Sequence, residues 1–430
     1  MGQFLSKCFD EMSRWLQNLL TSIRSYTSLS NGSSNNSKNG SSQPPLLKPA
    51  MEGNLSKMKD IVAQYLTNEI ITNDNKPSDV KNRLKKLKSF VDLSDAAQNT
   101  SLHGAAFAGH VNIIQYLVEQ CQADIFQKNN LGCSPLWLTA GYGHTECFLY
   151  LFDRVKQLSN ESNNETITRS DDNELRFVDE HVFYTENNTG DSPLLAAVSQ
   201  RHEKMCQVIL ECSFNAQGSS IEERNIESLF RCTKHVLTKQ NRNGDTPLTV
   251  AISNAKDEDA CIKVISILMK YDKMIIQHEK SNKQSTITSN TSSHILNTRN
   301  KNGLTPLLIA CERNLPKVIE SLIEKFDSQI DCLDEKGNTP LAIASFCGNM
   351  EATKVLLDFS KNNKKNILNV PNKEGCTPLW LACRTGNTNM VQLLLDAGAD
   401  TTIANSSKLN PLEVAKKYGK EKVIELFQKR

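Results

Sequence analysis

CTPLWLACRTGN (residues 376–387) is the clearest copy of a signature that recurs along most of this chain. In this stretch a threonine precedes a proline, apolar and small residues follow, and a glycine with a polar neighbour closes it. A threonine hydroxyl can accept a hydrogen bond from the first turn of a helix, and proline is favoured at the first helical position. The stretch therefore predicts a helix that begins at Pro378 and a turn at Gly386 and Asn387.

Seven further copies share this pattern. They are NTSLHGAAFAGH from Asn99, CSPLWLTAGYGH from Cys133, DSPLLAAVSQRH from Asp191, DTPLTVAISNA from Asp245, LTPLLIACERN from Leu304, NTPLAIASFCGN from Asn338 and NPLEVAKKYGK from Asn410. The residues at the proline position are spaced by 34, 58, 54, 59, 34, 38 and 33 residues along the chain. Four of these seven spacings lie near a repeat of about 33 residues, and the other three indicate the same repeat with an insertion.

Each copy also predicts a second helix and a reason for the copies to stack. Small residues in the first helix, such as Ala382 and Cys383, allow another helix to approach closely. Apolar residues at helical spacing follow the turn, as at Val391, Leu394 and Leu395. Because a single helix pair leaves an apolar flank exposed, only the next pair along the chain can bury it.

The signature resembles the ankyrin repeat over roughly residues 99–430. The resemblance implies an all-α solenoid of about eight to nine helix-turn-helix repeats. Three long insertions are then expected in the finger loops, near residues 154–188, 212–242 and 272–300. The middle insertion contains enough apolar residues for a short extra helix.

The resemblance further implies protein recognition on a concave face, by finger tips and exposed first-helix residues. Aromatic residues and arginine are the types most often found at binding hot spots. Each candidate could equally pack against its neighbouring repeat. By position within the motif, the candidates are Phe107, Tyr142, Gln200, Asn254, Arg313, Phe346 and Arg384.

Residues 46–98 are expected to form a divergent N-terminal repeat or cap and a basic helix. Gly53 and Asn54 predict a turn between two helices, although the Thr-Pro-Leu opening is missing. Ser78 is a candidate cap for the following helix, which carries apolar residues on one face. The opposite face is basic, so it is either solvated or attracted to anionic lipid. Its basic residues are Lys81, Arg83, Lys85, Lys86 and Lys88.

The N-terminus, MGQFLSK, matches the myristoylation pattern, with Gly2 as the acylated residue and Ser6 four residues later. Cys8 is a candidate palmitoylation site or an ordinary apolar thiol. Residues 1–27 predict an amphipathic helix that lies in a membrane interface or docks on the repeats. Its anchor candidates are Phe4, Phe9, Trp15 and Leu19. Residues 28–45 are rich in serine, asparagine and glycine, which predicts a flexible linker.

Composition and motifs argue against several functional classes. The formal net charge of +2 gives no overall attraction to nucleic acid. We found no Gly-rich phosphate loop, His-Glu-x-x-His or Gly-x-Ser-x-Gly motif, so neither catalysis, a cofactor nor a small-molecule substrate is expected. His144 with Cys147, and His202 with Cys206, have ligand-like spacing, but each histidine falls in an inter-helix turn, which disfavours a metal site.

The 13 cysteines include no Cys-x-x-Cys pair, and several occupy the small-residue position of first helices, such as Cys311 and Cys383. They are interpreted as reduced core thiols of a cytosolic protein. The sequence therefore predicts a non-enzymatic adaptor, lipid-anchored at a cytosolic membrane face, that binds one or more proteins. The alternative is a soluble regulatory or substrate-recognition subunit of a larger enzyme complex, with the N-terminal helix as a docking element.

Overall fold

The structure is a computed structural model that describes residues 44–72, 80–165, 185–215, 223–282, 295–363 and 365–428. Every regular element in these ranges is helical, which agrees with the expected all-α fold. The chain divides into two compact units, Met1–Val208 and Ile209–Arg430. Among the helices of the described ranges, none combines the length and apolarity that crossing a bilayer requires.

The first unit consists of short first helices alternating with longer second helices. The pair α1–α2 forms where the divergent first repeat was expected. The helices are α1 Leu47–Met51, α2 Leu55–Thr72, α3 Val80–Val91, α4 Ser101–Ala108, α5 Val111–Gln115 with a π turn at Tyr116–Gln120, α6 Pro135–Gly141, α7 Thr145–Glu165 and α8 Pro193–Ser199; the next helix, α9 Glu203–Asn215, contains the boundary between the units.

The second unit has the same alternation and one additional helix, α10. Its helices are α10 Glu223–Thr238, α11 Pro247–Ser253, α12 Glu258–Asn282, α13 Pro306–Glu312, α14 Pro316–Glu320 with a π turn at Ser321–Lys325, α15 Pro340–Cys347, α16 Met350–Asn362, α17 Pro378–Thr385, α18 Thr388–Asp396, α19 Pro411–Lys417 and α20 Glu421–Gln428.

Local sequence determines where each first helix begins. The Thr377 hydroxyl accepts a hydrogen bond from the amide of Trp380, with Pro378 at the first helical position, and five other copies repeat this arrangement. In the copy that has serine in place of proline, the Thr100 hydroxyl accepts from the amide of His103, and the His103 ring bonds back to the Thr100 amide. The caps predicted for the first helices of these copies are therefore confirmed.

Small residues let neighbouring first helices pack side by side. Ala105, Ala382 and Cys383 are fully buried at these contacts. Gly104 shows how close the approach is, because a Cβ there would lie 2.9 Å from side-chain carbons of Leu47 and Met51 on α1. In the first unit α4 packs between α1 and α6, and in the second unit α17 packs between α15 and α19.

Polar side chains in the turns hold successive repeats together. In the first unit, His110 Nε2 lies 3.0 Å from the Met51 carbonyl oxygen, and His144 Nε2 lies 2.8 Å from that of Phe107. In the second unit, Asn349 Nδ2 donates to the carbonyl oxygens of Cys311 and Glu312, at 2.7 and 2.8 Å. Each bond satisfies a carbonyl at the C-terminal end of the preceding first helix, which has no partner within its own helix.

The expected insertions begin as extensions of second helices rather than as loops. α7 and α12 have 21 and 25 residues, whereas α18 has nine, so the segments near 154–188 and 272–300 are helical where they start. The extra helix expected in the middle insertion is present as α10 and packs against α12. There the Phe230 ring stacks on His278 at 3.9 Å between ring centroids, and Lys234 Nζ lies 2.8 Å from Glu279 Oε1.

The two π turns each absorb one additional residue. From Asn387 to Ala399 the chain advances twelve positions, and the Ala399 amide donates to the Leu394 carbonyl, five residues back. From Leu315 to Ser328 it advances thirteen, and the Ser328 amide donates to Leu322, six residues back. A π turn therefore accommodates the extra residue while both flanks keep their register. The turn at 116–120 shows the same pattern.

Candidate protein-binding surface

The predicted binding residues all lie where a first helix ends. Eight positions after the proline position, most repeats have a residue with positive φ, such as Gly143 at 77° and Gly386 at 82°. This left-handed residue ends the helix and turns the chain, and glycine adopts it at no steric cost. The candidates come one or two residues earlier. They therefore lie on the last turn of the helix or directly after it.

The candidates occupy two different positions of the repeat. Phe107, Phe346 and Arg384 lie six residues after the proline position, and Tyr142, Gln200, Asn254 and Arg313 lie seven after it. The two positions differ by about 100° around a helix, so their side chains have different surroundings. Exposure does not follow this division: Arg313, Phe346 and Arg384 are exposed, and the other four are half-buried.

In the first unit the structure brings two candidates into contact with each other. The rings of Phe107 and Tyr142 meet edge to face, with centroids 4.5 Å apart. Burial raises the pKa of the Tyr142 hydroxyl to about 12. Part of each ring is therefore engaged in packing between neighbouring repeats, which is the alternative that the sequence left open. Gln200 lies at the same helix end one repeat later, half-buried.

In the second unit three of the four candidates, Arg313, Phe346 and Arg384, are exposed at the ends of consecutive first helices, and Asn254 is half-buried. Phe346 has 49% of its surface exposed at the end of α15. Arg384 follows at the end of α17, and its guanidinium carbon lies 5.9 Å from the ring centroids of both Trp380 and Tyr418. Because α15 packs against α17 and α17 against α19, these residues are neighbours across the stack.

Tyr418 is a surface residue that the sequence prediction missed. It follows α19, is 49% exposed and contacts Arg384. Its position, seven residues after Pro411, is the one that Tyr142 occupies after Pro135. The signal was therefore present in the motif, because the last copy has a tyrosine at the same position.

The residues with ligand-like spacing have structural roles. His144 bonds to the preceding repeat, and burial lowers the pKa of His202. Burial also raises the thiol pKa of Cys147 to about 11 and that of Cys206 to about 12, so both thiols stay protonated at neutral pH. In the described ranges no group of three or more histidine, cysteine or acidic side chains is arranged to hold a metal ion.

Several predictions concern residues outside those that the structure describes. These are the acylation candidates Gly2 and Cys8, the membrane-anchor candidates Phe4, Phe9, Trp15 and Leu19, the linker up to residue 43, and the cap candidate Ser78. They stay predictions from the sequence. The basic helix after Ser78 is present as α3, with Lys85 and Lys88 exposed.

Comparison with known proteins decides the family. A family model described as ankyrin repeats (3 copies) matches residues 23–163, 102–225, 280–369 and 363–430, which together cover most of the chain. The chain belongs to the ankyrin-repeat family. The resemblance inferred from the Thr-Pro-Leu signature is thereby confirmed, together with the ankyrin-repeat fold.

Two ankyrin-repeat proteins illustrate the similarity. Ankyrin repeat-containing protein P16F5.05c of Schizosaccharomyces pombe is 34% identical over 121 residues, which are 28% of this chain and 81% of that protein. The crystal structure of EF0377, an ankyrin repeat protein, matches with a TM-score of 0.39 and 18% identity over 55% of this chain and 96% of that chain. Ankyrin repeats generally mediate protein–protein interaction and are typically non-enzymatic.

Proposed function

We propose that this ankyrin-repeat protein is a non-enzymatic adaptor that binds a partner protein through the ends of the first helices of its second unit. The observation that carries this proposal is the exposed row Arg313, Phe346 and Arg384, at the ends of the consecutive first helices α13, α15 and α17. Arginine and aromatic side chains are the types that contribute most to protein–protein binding. A half-exposed phenylalanine between two arginines is therefore a suitable centre for an interface.

The row also has a rigid support. Each of its residues ends a helix whose other side is fully buried, as Leu307, Leu341 and Leu379 illustrate. A partner that binds such a surface orders few additional backbone residues, so less conformational entropy opposes association.

The experiment is a pull-down of the full-length chain from cells, followed by binding measurements with the purified partner. We expect Phe346→Ala and Arg384→Ala each to weaken binding about tenfold or more, the size typical of hot-spot residues. The matched control is Lys361→Gln, an exposed residue on the second helix α16. Equal binding by all variants would show that the row is not the binding surface.

We further propose that the adaptor is held at a cytosolic membrane face by an acylated N-terminus. The support is the myristoylation pattern at Gly2, followed by apolar residues at helical spacing from Phe4 through Ile23. Metabolic labelling with a myristate analogue, with Gly2→Ala as control, tests this. Absence of label in a eukaryotic cell would favour the soluble regulatory subunit instead.

The amphipathic helix would supply the second attachment, because one myristoyl chain binds membranes with only about 10⁴ M⁻¹. Phe9 and Trp15 are then expected to insert into the interface. Replacing both with glutamate should release the acylated protein from membranes. An unchanged membrane fraction would indicate palmitate on Cys8 as the second signal.

A further inference from the structure

Arg384 lies in a setting that prepares it to bind a carboxylate. Its guanidinium carbon lies 5.9 Å from the ring centroid of Trp380, on its own helix, and 5.9 Å from that of Tyr418, after the next first helix. Contacts on two rings restrict the orientation of the guanidinium group, so less entropy is lost when it binds. In the described residues Arg384 forms no ion pair.

Three lysines lie within two residues of Tyr418 along the chain. Lys416 and Lys417 are exposed on the last turn of α19. The stem of Lys420 lies over Gly386, because a Cβ there would be 2.7 Å from Lys420 Cδ. Lys420 thus approaches the end of α17, two residues after Arg384. We call Arg384, Lys416, Lys417, Tyr418 and Lys420 the basic–aromatic patch.

The carboxylates nearest in sequence do not neutralise the patch. Glu413 Oε2 accepts the Asn410 amide at the opposite end of α19. Glu421 follows Lys420 and is exposed, yet within the described part of the chain no cation of the patch forms an ion pair. Positive charge is therefore concentrated at the ends of α17 and α19. On α13, by contrast, Glu312 precedes Arg313.

An ordinary capping repeat explains only part of this arrangement. Lysines at the end of α19 interact favourably with its helix dipole, and an outermost repeat needs a polar outer face. Neither reason requires an arginine near two aromatic rings or a tyrosine that leaves 49% of its surface in solvent. Those two features are typical of a binding surface.

From this placement we propose that the basic–aromatic patch binds an extended acidic segment of a partner protein, with an apolar side chain against Phe346 and carboxylates on Arg384 and the lysines. The proposal rests on the proposed function and specifies the chemistry of the partner. Neighbouring helix axes lie about 8–10 Å apart, so the surface from Phe346 to Tyr418 spans roughly 20 Å. About six extended residues cover that length.

An extended chain fits this surface better than a lipid headgroup layer does. Arginine pairs with a carboxylate through two parallel N–H···O bonds, which gives directional as well as electrostatic recognition. The apolar and charged groups also follow one another along the stack, from α15 through α17 to α19, as the side chains of a single peptide do.

The test uses the full-length chain and two fluorescein-labelled hexapeptides in fluorescence anisotropy. One peptide has a phenylalanine followed by five alternating aspartates and glutamates, and the other has asparagine and glutamine in their places. We expect the acidic peptide to bind at least about tenfold more tightly. Raising the ionic strength from about 0.1 M to about 1 M shortens the Debye length from about 10 Å to about 3 Å and should weaken that binding.

Variants locate the binding site. Arg384→Gln should weaken binding of the acidic peptide about five- to tenfold, whereas Lys361→Gln, on the exposed end of α16, should not change it. If Arg384→Gln disturbs the fold, the double variant Lys416→Gln, Lys417→Gln replaces it, because both side chains are exposed. Loss of binding in that double variant supports the proposal, and unchanged binding overturns it.

The remaining outcomes separate this inference from the proposed function. If partner binding depends on Phe346 and the acidic peptide does not compete with the partner, the proposed binding surface is supported, whereas the proposal of an acidic ligand is wrong. Equal binding of the two peptides overturns the inference as well. Vesicles of phosphatidylserine and phosphatidylcholine serve as a third probe; binding to them that depends on Arg384, without binding to the peptide, would identify a lipid surface instead.

Discussion

Deletion of Glu324 tests whether the π turn at 321–325 does no more than accommodate one residue beyond the length of a regular repeat. Glu324 is exposed in that turn. Without it, the amide of Ser328 would donate to Leu322 five residues back, as the amide of Ala399 does to Leu394 in the regular repeat. The buried residues before the deletion keep their places. We expect the free energy of local unfolding to change by less than about 0.5 kcal/mol, as for an ordinary surface substitution.

The matched control is deletion of Asp396, an exposed acidic residue at the equivalent position of α18. That helix has no extra residue to lose. Ala399 would then occupy the left-handed position of Gly398, where φ is 89°, at a cost of about 1–2 kcal/mol. The hydrogen bond from the Ala399 amide to Leu394 would also be lost, which costs about 1 kcal/mol. The expected destabilisation is about 2–3 kcal/mol.

Hydrogen exchange of backbone amides measures both effects, because a long repeat array need not unfold in a single step. Amides of α13 and α15 report on the first deletion, and those of α17 and α19 on the control. A loss of 2–3 kcal/mol accelerates exchange by about 30- to 160-fold. Acceleration of that size on deletion of Glu324 would refute the explanation of the π turn.

Three further predictions concern His103, Asn349 and Leu307. Burial lowers the pKa of His103 to about 4, so between pH 6.5 and that value the unfolded chain binds a proton that the folded chain does not. The local stability around α4 should therefore fall by about 3 kcal/mol as the pH decreases from about 6.5 to about 4, measured by exchange of the α4 amides at each pH, and His103→Gln should remove this dependence. Asn349→Ala should destabilise its repeat by about 1–2 kcal/mol through two lost hydrogen bonds, checked by amide exchange. Leu307→Asp should unfold the local repeats, because it buries an unpaired charge. Deletion of residues 283–294, by contrast, should leave the melting curve measured by circular dichroism nearly unchanged, because the repeat cores and their interfaces supply the stability.

Much of the fold was predictable because the decisive interactions are local. The cap at Thr377 and the proline at Pro378 involve residues no more than three positions apart, so the start of each first helix could be inferred from the motif. The same holds for the left-handed glycine at Gly386, which only closes the helix before it. Second helices were located, but their ends were not. α7 and α12 continue well into segments that composition alone had assigned to loops.

The binding surface was only partly predictable, because it depends on residues from different repeats. Phe107 and Tyr142 were both named from the motif, yet their mutual contact across 35 positions could not be inferred. Likewise Arg384 was a candidate, but the second ring beside it belongs to Tyr418, 34 positions later. Exposure of a residue at the end of a helix is decided by the side chain that the next repeat places there.

The sequence by itself determined the repeat unit, the start of its first helix and the need to stack, since capping, proline geometry and apolar periodicity act within a few residues. It also contained spacings of 34 residues beside one of 33. Only the tertiary structure decided how the extra residue is accommodated. Both neighbours of a repeat fix its register by burying its apolar faces, so the additional residue bulges into a π turn at the end of the second helix instead of shifting the helices that follow.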